Sequence, residues 1–501
     1  MERKVETVQT VYSRAIRALA ALLFFVVLLP ALPGRAEEDG LSYAMDVTLD
    51  AQSASLTVEA RVTVVNDSPD AWEELCFRDF MASVIAEART RTDEELSLQS
   101  GILSASCNGE ALDVRVDAAD ASIAYVALKT PLASGDRCEI ALSYAADIPE
   151  GGLRCGYFPL HTESDDGRTF ELAQFYPMLA VYEGGEWVVE PYFVDGECFY
   201  THCADYDIRL RVPGGCTVVA SGDETEEGPG LWRIHAERMR DVTLIVSDEL
   251  DATCGEAEGV TVNCYYARGE ESHRRQNELS MQAALNAIRA FMDAYGQYPY
   301  AELDVVESNY EFGGMEAPGL VRVSQMYSWF LGGDTDAAER AEYEGKLAAT
   351  VAHEIAHQWF YAVVGNDQYR EAWLDESFAA YSEQVYWRFV GKSEDGIAAQ
   401  MDAFANAVNE AEGVSDLCID RPYDELGGDY TPAVYERGAA FLYRLEQALG
   451  REAFSVAMRE YYAAFAFKEA TTQDFLAVFG PYAEGNEAAQ ALFATYLRAA
   501  R

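Results

Sequence analysis

The chain has 501 residues, with 85 Asp+Glu against 37 Lys+Arg and a formal net charge of −48. Half of the residues are hydrophobic and 15 are proline, which excludes a disordered or fibrous protein and supplies apolar material for several buried cores. Only five residues are lysine and the acidic excess is spread along the chain, so nucleic acid is excluded as a partner, because phosphate binding needs clustered Lys and Arg.

At the N-terminus, Arg3, Lys4, Arg14 and Arg17 precede an apolar run from Ala18 to Leu29, which Pro30, Pro33 and Gly34 break. The short run and the small residues Gly34 and Ala36 read as a secretory signal over residues 1–36, with an uncleaved N-terminal anchor as the alternative. The mature protein is then expected outside the cytoplasm, secreted or tethered by that segment. Ten cysteines suit an oxidising compartment, and none forms a C-x-x-C pair. Cys198–Cys203 and Cys254–Cys264 are the local disulfide candidates, against buried free thiols.

From Tyr43 to about Glu249 the texture is that of strands. Ser55–Asn66 alternates apolar and polar residues and meets a turn at Asp67-Ser68-Pro69. Similar runs lie at Ser122–Leu128, Glu139–Tyr144, Tyr206–Val212 and Val242–Val246, which together predict an antiparallel sandwich or saddle. After Gly269 the period changes. Helices are expected over Glu270–Ala294, Ala337–Val364, Asp375–Val390, Glu394–Ala411, Thr431–Leu449, Arg451–Phe465, Thr472–Phe479 and Asn486–Ala499, with a strand at Ala301–Glu307.

The chemistry sits on two of these helices. In His353-Glu354-Ile355-Ala356-His357 the histidines are four apart, so both face one side of a helix and can hold one zinc ion. Glu354 projects beside the metal, where it can accept a proton from the attacking water. Gly365 is read as the helix stop. An open catalytic zinc site needs a third protein ligand, and Glu376 opens the next expected helix, with Asp375 as its N-cap. Glu383 lies seven residues after Glu376, two turns on and on the same face, as a partner for a ligand histidine.

These residues carry a family resemblance. His353–His357 with Glu376, the run Trp373-Leu374-Asp375-Glu376-Ser377-Phe378-Ala379, and Gly313-Gly314-Met315-Glu316-Ala317 resemble the aminopeptidase N family of zinc metallopeptidases, the gluzincins. The similarity covers about Leu41 to the C-terminus and is most specific from Phe312 to Ala440. The resemblance implies a multidomain α+β chain: an N-terminal antiparallel β-sandwich or saddle over 37–255, a thermolysin-like zinc catalytic domain over 256–450, and an abbreviated helical segment over 451–501. It implies one Zn2+ per chain on His353, His357 and Glu376, with Glu354 as general base. By the same likeness Glu316, in the Gly313-Gly314-Met315 block, binds the substrate's α-amino group, and Tyr435 donates to the oxyanion. Gln174 matches a substrate loop of the N-terminal domain.

The resemblance departs at two points. Ala317 stands where the family has asparagine, and Tyr176 where many members have a second amine-binding glutamate. The expected activity is hydrolysis of peptide bonds by a zinc-activated water, releasing N-terminal residues from peptides with a free N-terminus. The alternatives are an endopeptidase or dipeptidase with the same site, the epoxide hydrolase activity of one branch, and a non-catalytic interaction module on the peptidase scaffold.

Overall fold

Alternation along Ser55–Val65 buries Leu56, Val58, Ala60, Val62 and Val64 while most residues between them face outward. That strand lies inside an eight-stranded sheet of the computed structural model, which describes residues 40–91, 96–151, 154–160, 167–194, 196, 198–310, 312–333, 335–407 and 418–501. The signal or anchor expected over residues 1–36 and the end of the helix expected to reach Ala411 lie outside them. No helix among the described residues is long and apolar enough to cross a membrane.

The large sheet runs, edge to edge, through Asp223–Gly228, Leu231–Met239, Ala204–Arg211, Ser42–Asp50, Ser55–Val65, Arg137–Asp147, Ser100–Cys107 and Glu110–Leu112. Two four-stranded sheets, one containing Thr169–Ala173 and Thr243–Ser247, the other Trp72–Arg78 and Ile123–Leu132, share a core with its inner face. Val47, Val58, Ile140 and Ile208 from the large sheet are buried with Leu75, Phe77, Leu172 and Leu244 from the others. The expected antiparallel pairing holds in the large sheet except between Ser42–Asp50 and Ala204–Arg211, which run parallel. No hairpin joins these two strands, so no tight turn sets their relative direction.

A five-stranded sheet follows, in the order Leu250–Ala257, Val260–Ala267, Glu302–Ser308, Leu320–Ser324, Gly314–Met315. Its first strand runs through the boundary expected at 255/256, and the hairpin to its second was not foreseen. The helix Glu271–Ala294 packs Ala283, Ala287, Ile288 and Phe291 into the core that this sheet shares with the helices Ala337–Ala356 and Trp373–Phe389. A helix at Phe80–Thr90, capped by Asp79, interrupts the strand-rich half (Ala82 N to Asp79 Oδ1, 3.2 Å).

Three expectations are corrected. The helix expected to reach Val364 ends at Ala356, after which Val364–Gly365 pairs with Lys468–Glu469 as a short strand. The chain is pulled out of the helix by side chains that anchor elsewhere: Gln358 donates to the Ala317 carbonyl at 3.1 Å and Trp359 Nε1 to the Gly296 carbonyl at 3.0 Å. Gly365 is therefore not a helix stop. A Cβ there would lie 2.0 Å from the Arg240 guanidinium carbon, so the glycine makes room for that side chain. The disulfides expected at Cys198–Cys203 and Cys254–Cys264 are not formed; the ten cysteines are thiols. Cys254 pairs with Asn263 and Cys264 with Thr253, which puts the two sulfurs on opposite faces of the hairpin, one exposed and one buried.

Arg240 ties the strand-rich half to the helical half. It donates to the carbonyls of Thr201 (2.8 Å), Tyr361 (2.6 Å) and Lys468 (2.7 Å) and to Glu469 Oε1 (2.7 Å). Burial raises the Glu469 carboxyl, but Arg240 and His202 outweigh it and hold its pKa at about 2 against an ordinary 4.5. The pair's contribution is therefore complete above pH 4.5 and is lost as the pH falls through 2. Glu469→Gln leaves a buried guanidinium short of its anion and is expected to cost about 3 kcal/mol at pH 7. The difference from wild type should shrink between pH 4.5 and 2, measured by denaturant unfolding across pH.

Candidate active site

Two imidazoles have their proton positions fixed from outside. His353 Nδ1 lies 3.1 Å from Glu383 Oε1, and His357 Nδ1 lies 3.0 Å from the Phe360 carbonyl. Each acceptor requires Nδ1 to carry the hydrogen, so a neutral ring presents its lone pair at Nε2. The two Nε2 atoms are 3.2 Å apart, and Glu376 Oε2 lies 3.2 Å from the first and 3.5 Å from the second.

Three electron-pair donors thus converge on one point, an arrangement that repels itself unless a cation sits among them. Two neutral imidazoles and a carboxylate form the donor set of an open zinc site, with its fourth position left to solvent or substrate. In protons alone the same conclusion holds. Burial lowers both imidazoles, yet their hydrogen bonds to Glu376, and for His353 to Glu383, outweigh it, holding His353 well above its usual range and His357 at about 9. Burial raises Glu376, and the two histidines bring it well below the carboxylate range. The pocket therefore demands positive charge, which zinc supplies in place of protons.

The supports come from separate elements. The helix Ala337–Ala356 begins at Asp336, whose Oδ1 accepts from Ala338 N at 2.8 Å. His357 is its C-cap, still helical in backbone and four positions from His353. The helix carrying Glu376 begins at Trp373, so Asp375 is not its N-cap; it lies in the first turn, fully buried. Asp375 Oδ2 accepts from Gln368 Nε2 at 2.9 Å, and Oδ1 accepts from the Glu376 amide at 2.7 Å. Burial, then the neighbouring Glu376 charge, pushes the Asp375 carboxyl up to about 7.

Glu354 and Glu316 face the same point. One oxygen of each and a nitrogen of His357 lie within 4.8 Å of one another, and the two glutamates are 6 % and 5 % exposed. Gly314 and Met315 form an edge strand against Arg322–Val323, immediately before Glu316. A Cβ on Gly314 would sit 2.4 Å from Glu354 Oε1, so the glycine lets the carboxylate pack against the strand. Tyr435 comes from a wide helical turn, Pro432–Arg437, ahead of the helix Gly438–Leu449. Its ring lies nearly parallel to that of His353, and its hydroxyl donates to Glu376 Oε1.

These groups line one cleft of about 520 Å³, walled by His353, Glu354, His357 and Glu376 with Glu316 and Glu383. Gly313, Met315 and Tyr435 line it too. Gln174 does not line it. Its backbone has φ 46°, its Nε2 donates to Asp241 Oδ2 at 3.1 Å, and it borders a small hollow behind Met315 and Glu316. Tyr176 is buried against Tyr206, hydroxyl to hydroxyl at 3.0 Å, and is likewise absent from the cleft. Arg154, from the strand-rich half, was not foreseen. It is 4 % exposed and reaches the cleft wall beside Met315, its guanidinium over the Phe199 ring. Nothing local in its sequence marked it, nor could the Phe360 carbonyl be read from side-chain identity.

Residues 279–496 match the model of the peptidase family M1 domain. Similar sequences include aminopeptidase M1-C of Oryza sativa subsp. japonica, 25 % identical over 55 % of this chain and 32 % of that protein. They also include aminopeptidase N of Streptomyces lividans, 25 % identical over 54 % of this chain and 33 % of that one. Aminopeptidase B of Mus musculus is 25 % identical over 71 % of this chain and 52 % of its own. The chain thus spans about a third of the first of these relatives. The fold is that of an M1 zinc metallopeptidase from Deinococcus radiodurans, a mutant of which superposes with a TM-score of 0.64 at 19 % identity, over 92 % of this chain and 95 % of the other. Over residues 279–496 the chain is thus similar to the peptidase family M1 domain, and its fold is shared with an M1 zinc metallopeptidase.

Proposed function

We propose that the protein is a zinc-dependent aminopeptidase acting on peptides with a free N-terminus. The observation that carries this reading is the position of the Glu316 carboxylate, within 4.8 Å of both the base Glu354 and the ligand His357. In a peptide the α-nitrogen and the carbonyl carbon of the first residue are only about 2.5 Å apart. An ammonium held by Glu316 therefore brings the first peptide bond, and no later one, to the reacting groups.

His353, His357 and Glu376 would hold the zinc ion, which when bound would supply Lewis acidity for the carbonyl and the attacking water. Glu354 takes the proton of that water at its carboxylate and delivers it to the leaving amine. Tyr435 turns its hydroxyl from Glu376 toward the developing oxyanion, a donation of the kind that contributes about 3–4 kcal/mol. Glu383 and the Phe360 carbonyl keep both Nδ1 atoms protonated and so act as positioning groups. Support also comes from relatives named as aminopeptidases and from a Deinococcus radiodurans neighbour described as bound to a Tyr-Ser-Ala substrate. The charged, apolar and small-residue pattern over residues 1–36 supports an extracytoplasmic location, secreted or held by that segment.

Three variants test the roles, assayed with aminoacyl-p-nitroanilides and N-blocked peptides alongside metal analysis. Glu354→Gln should retain zinc and lose about 10³-fold or more in kcat; near-normal turnover would remove Glu354 as the base. Glu316→Ala should lower kcat/KM about 10²-fold on free N-termini and leave cleavage of blocked peptides unchanged. An equal loss on both would favour an endopeptidase. Gly314→Ala displaces the Glu354 carboxylate and should lower kcat about 10²-fold at full zinc content.

A further inference from the structure

Away from the cleft, three carboxylates from two sheets meet with no cation among them. Glu302 and Asp304 are two apart on one strand of the five-stranded sheet and so share a face. Glu224 reaches them from Asp223–Gly228, the edge strand of the eight-stranded sheet. One oxygen from each of the three lies within 4.8 Å of the others.

The cluster holds oxygens with nothing to bind. Asp304 is 1 % exposed; Asn263 Nδ2 donates to its Oδ1 at 3.0 Å, and its Oδ2 is buried with no hydrogen-bond partner. Glu224 Oε2 is buried and unpartnered in the same way. The charged groups acting on the three, among the described residues, are one another and Asp223. Burial and this mutual repulsion push the Glu224 carboxyl up to about 8 and Asp304 well above its usual range. Of the three, Glu302 also lines a hollow of about 250 Å³, together with Asp223 and Gly319.

We propose that Glu224, Glu302 and Asp304 form a binding site for a hard divalent cation of the size of Ca2+, which fastens the edge of the N-terminal sheet to the catalytic sheet. Calcium takes carboxylate oxygens at about 2.3–2.6 Å in adaptable geometry, and the spread of these oxygens is within reach of one such ion. Magnesium demands a tighter octahedron, and zinc prefers the nitrogen-bearing site in the cleft. Asn263 supplies a neutral amide that orients Asp304, and Glu302 links the cluster to the hollow. The ion removes the repulsion that otherwise opposes joining the two sheets here. The site involves no residue of the zinc cleft and stands or falls apart from the peptidase reading.

The test uses the full zinc-loaded chain, dialysed free of calcium in buffer with micromolar zinc. Titration with CaCl2 should show one saturable site per chain by calorimetry and a rise in Tm of about 2–5 °C at saturation. Asp304→Asn with Glu224→Gln should abolish both responses while zinc content and basal hydrolysis stay at wild-type levels. Should that double variant not fold, Glu302→Gln alone should weaken calcium binding at least tenfold. Wild type that neither binds calcium nor shifts its Tm would overturn the proposal, leaving a cluster that shares protons. A response retained in the variants would overturn the assignment to these residues.

Discussion

The zinc site depends on where two protons sit. Glu383 and the Phe360 carbonyl each accept from an Nδ1–H, and this leaves His353 and His357 with their Nε2 lone pairs 3.2 Å apart. Were either acceptor lost, its ring could exchange tautomers or rotate, and one donor would leave the convergence point. Because one acceptor is a backbone carbonyl, the early end of the helix at Ala356 is part of the site. Had the helix run on to Val364, the Phe360 carbonyl would be bonded within it and unable to hold His357.

That helix ending is itself held from the other half of the molecule. Arg240 accepts no substitute of ordinary length: it reads the Tyr361 and Lys468 carbonyls and the Glu469 carboxylate together, beside a position, Gly365, where no side chain fits. The turn that orients His357 is thus pinned between the strand-rich half and the C-terminal segment. Arg154 makes the same point at the cleft wall, where the strand-rich half lends a buried side chain beside Met315. Neither half forms the whole cleft by itself.

What was legible in the sequence follows from range. The spacing from His353 to His357 and the seven-residue step from Glu376 to Glu383 are local helical relations, and the residue types state the chemistry. Alternation exposed Ser55–Val65, and 3.6-residue periodicity exposed Glu271–Ala294, because each buries a single face. A helix reaching Val364 is expected from the sequence because Val363 and Val364 continue an apolar run, and only the distant anchors of Gln358 and Trp359 end it at Ala356. Asp375 looked like an N-cap because it precedes Glu376; the helix starts earlier because Trp373 and Leu374 are drawn into the core. Gln174 carried its expected role by likeness of loop alone, and its amide is engaged by Asp241. Cys254 and Cys264 were close in sequence, but a strand register separates them by face, which spacing does not reveal.

Residues 451–501 pack away from the cleft. None of the residues lining the cleft comes from 451–501. That segment instead packs behind the helix bearing Glu376, where Phe475 meets Trp373 and Phe378, Tyr461 stacks on Phe378, and Thr472 accepts from Trp373 Nε1 at 2.9 Å. Lys468–Glu469 pairs with Val364–Gly365 and so backs the turn after His357. Its apolar contacts therefore bear on the two chain segments that hold the ligands, and its energy goes into fixing their geometry. A segment placed in this way buttresses the metal ligands, whereas a covering domain would have to contact the open side of the cleft near Phe312 and Glu436. Phe312 is 47 % exposed, as a wall residue facing solvent would be. Residues 451–501 contribute no group to the side of the cleft where Phe312 and Glu436 lie.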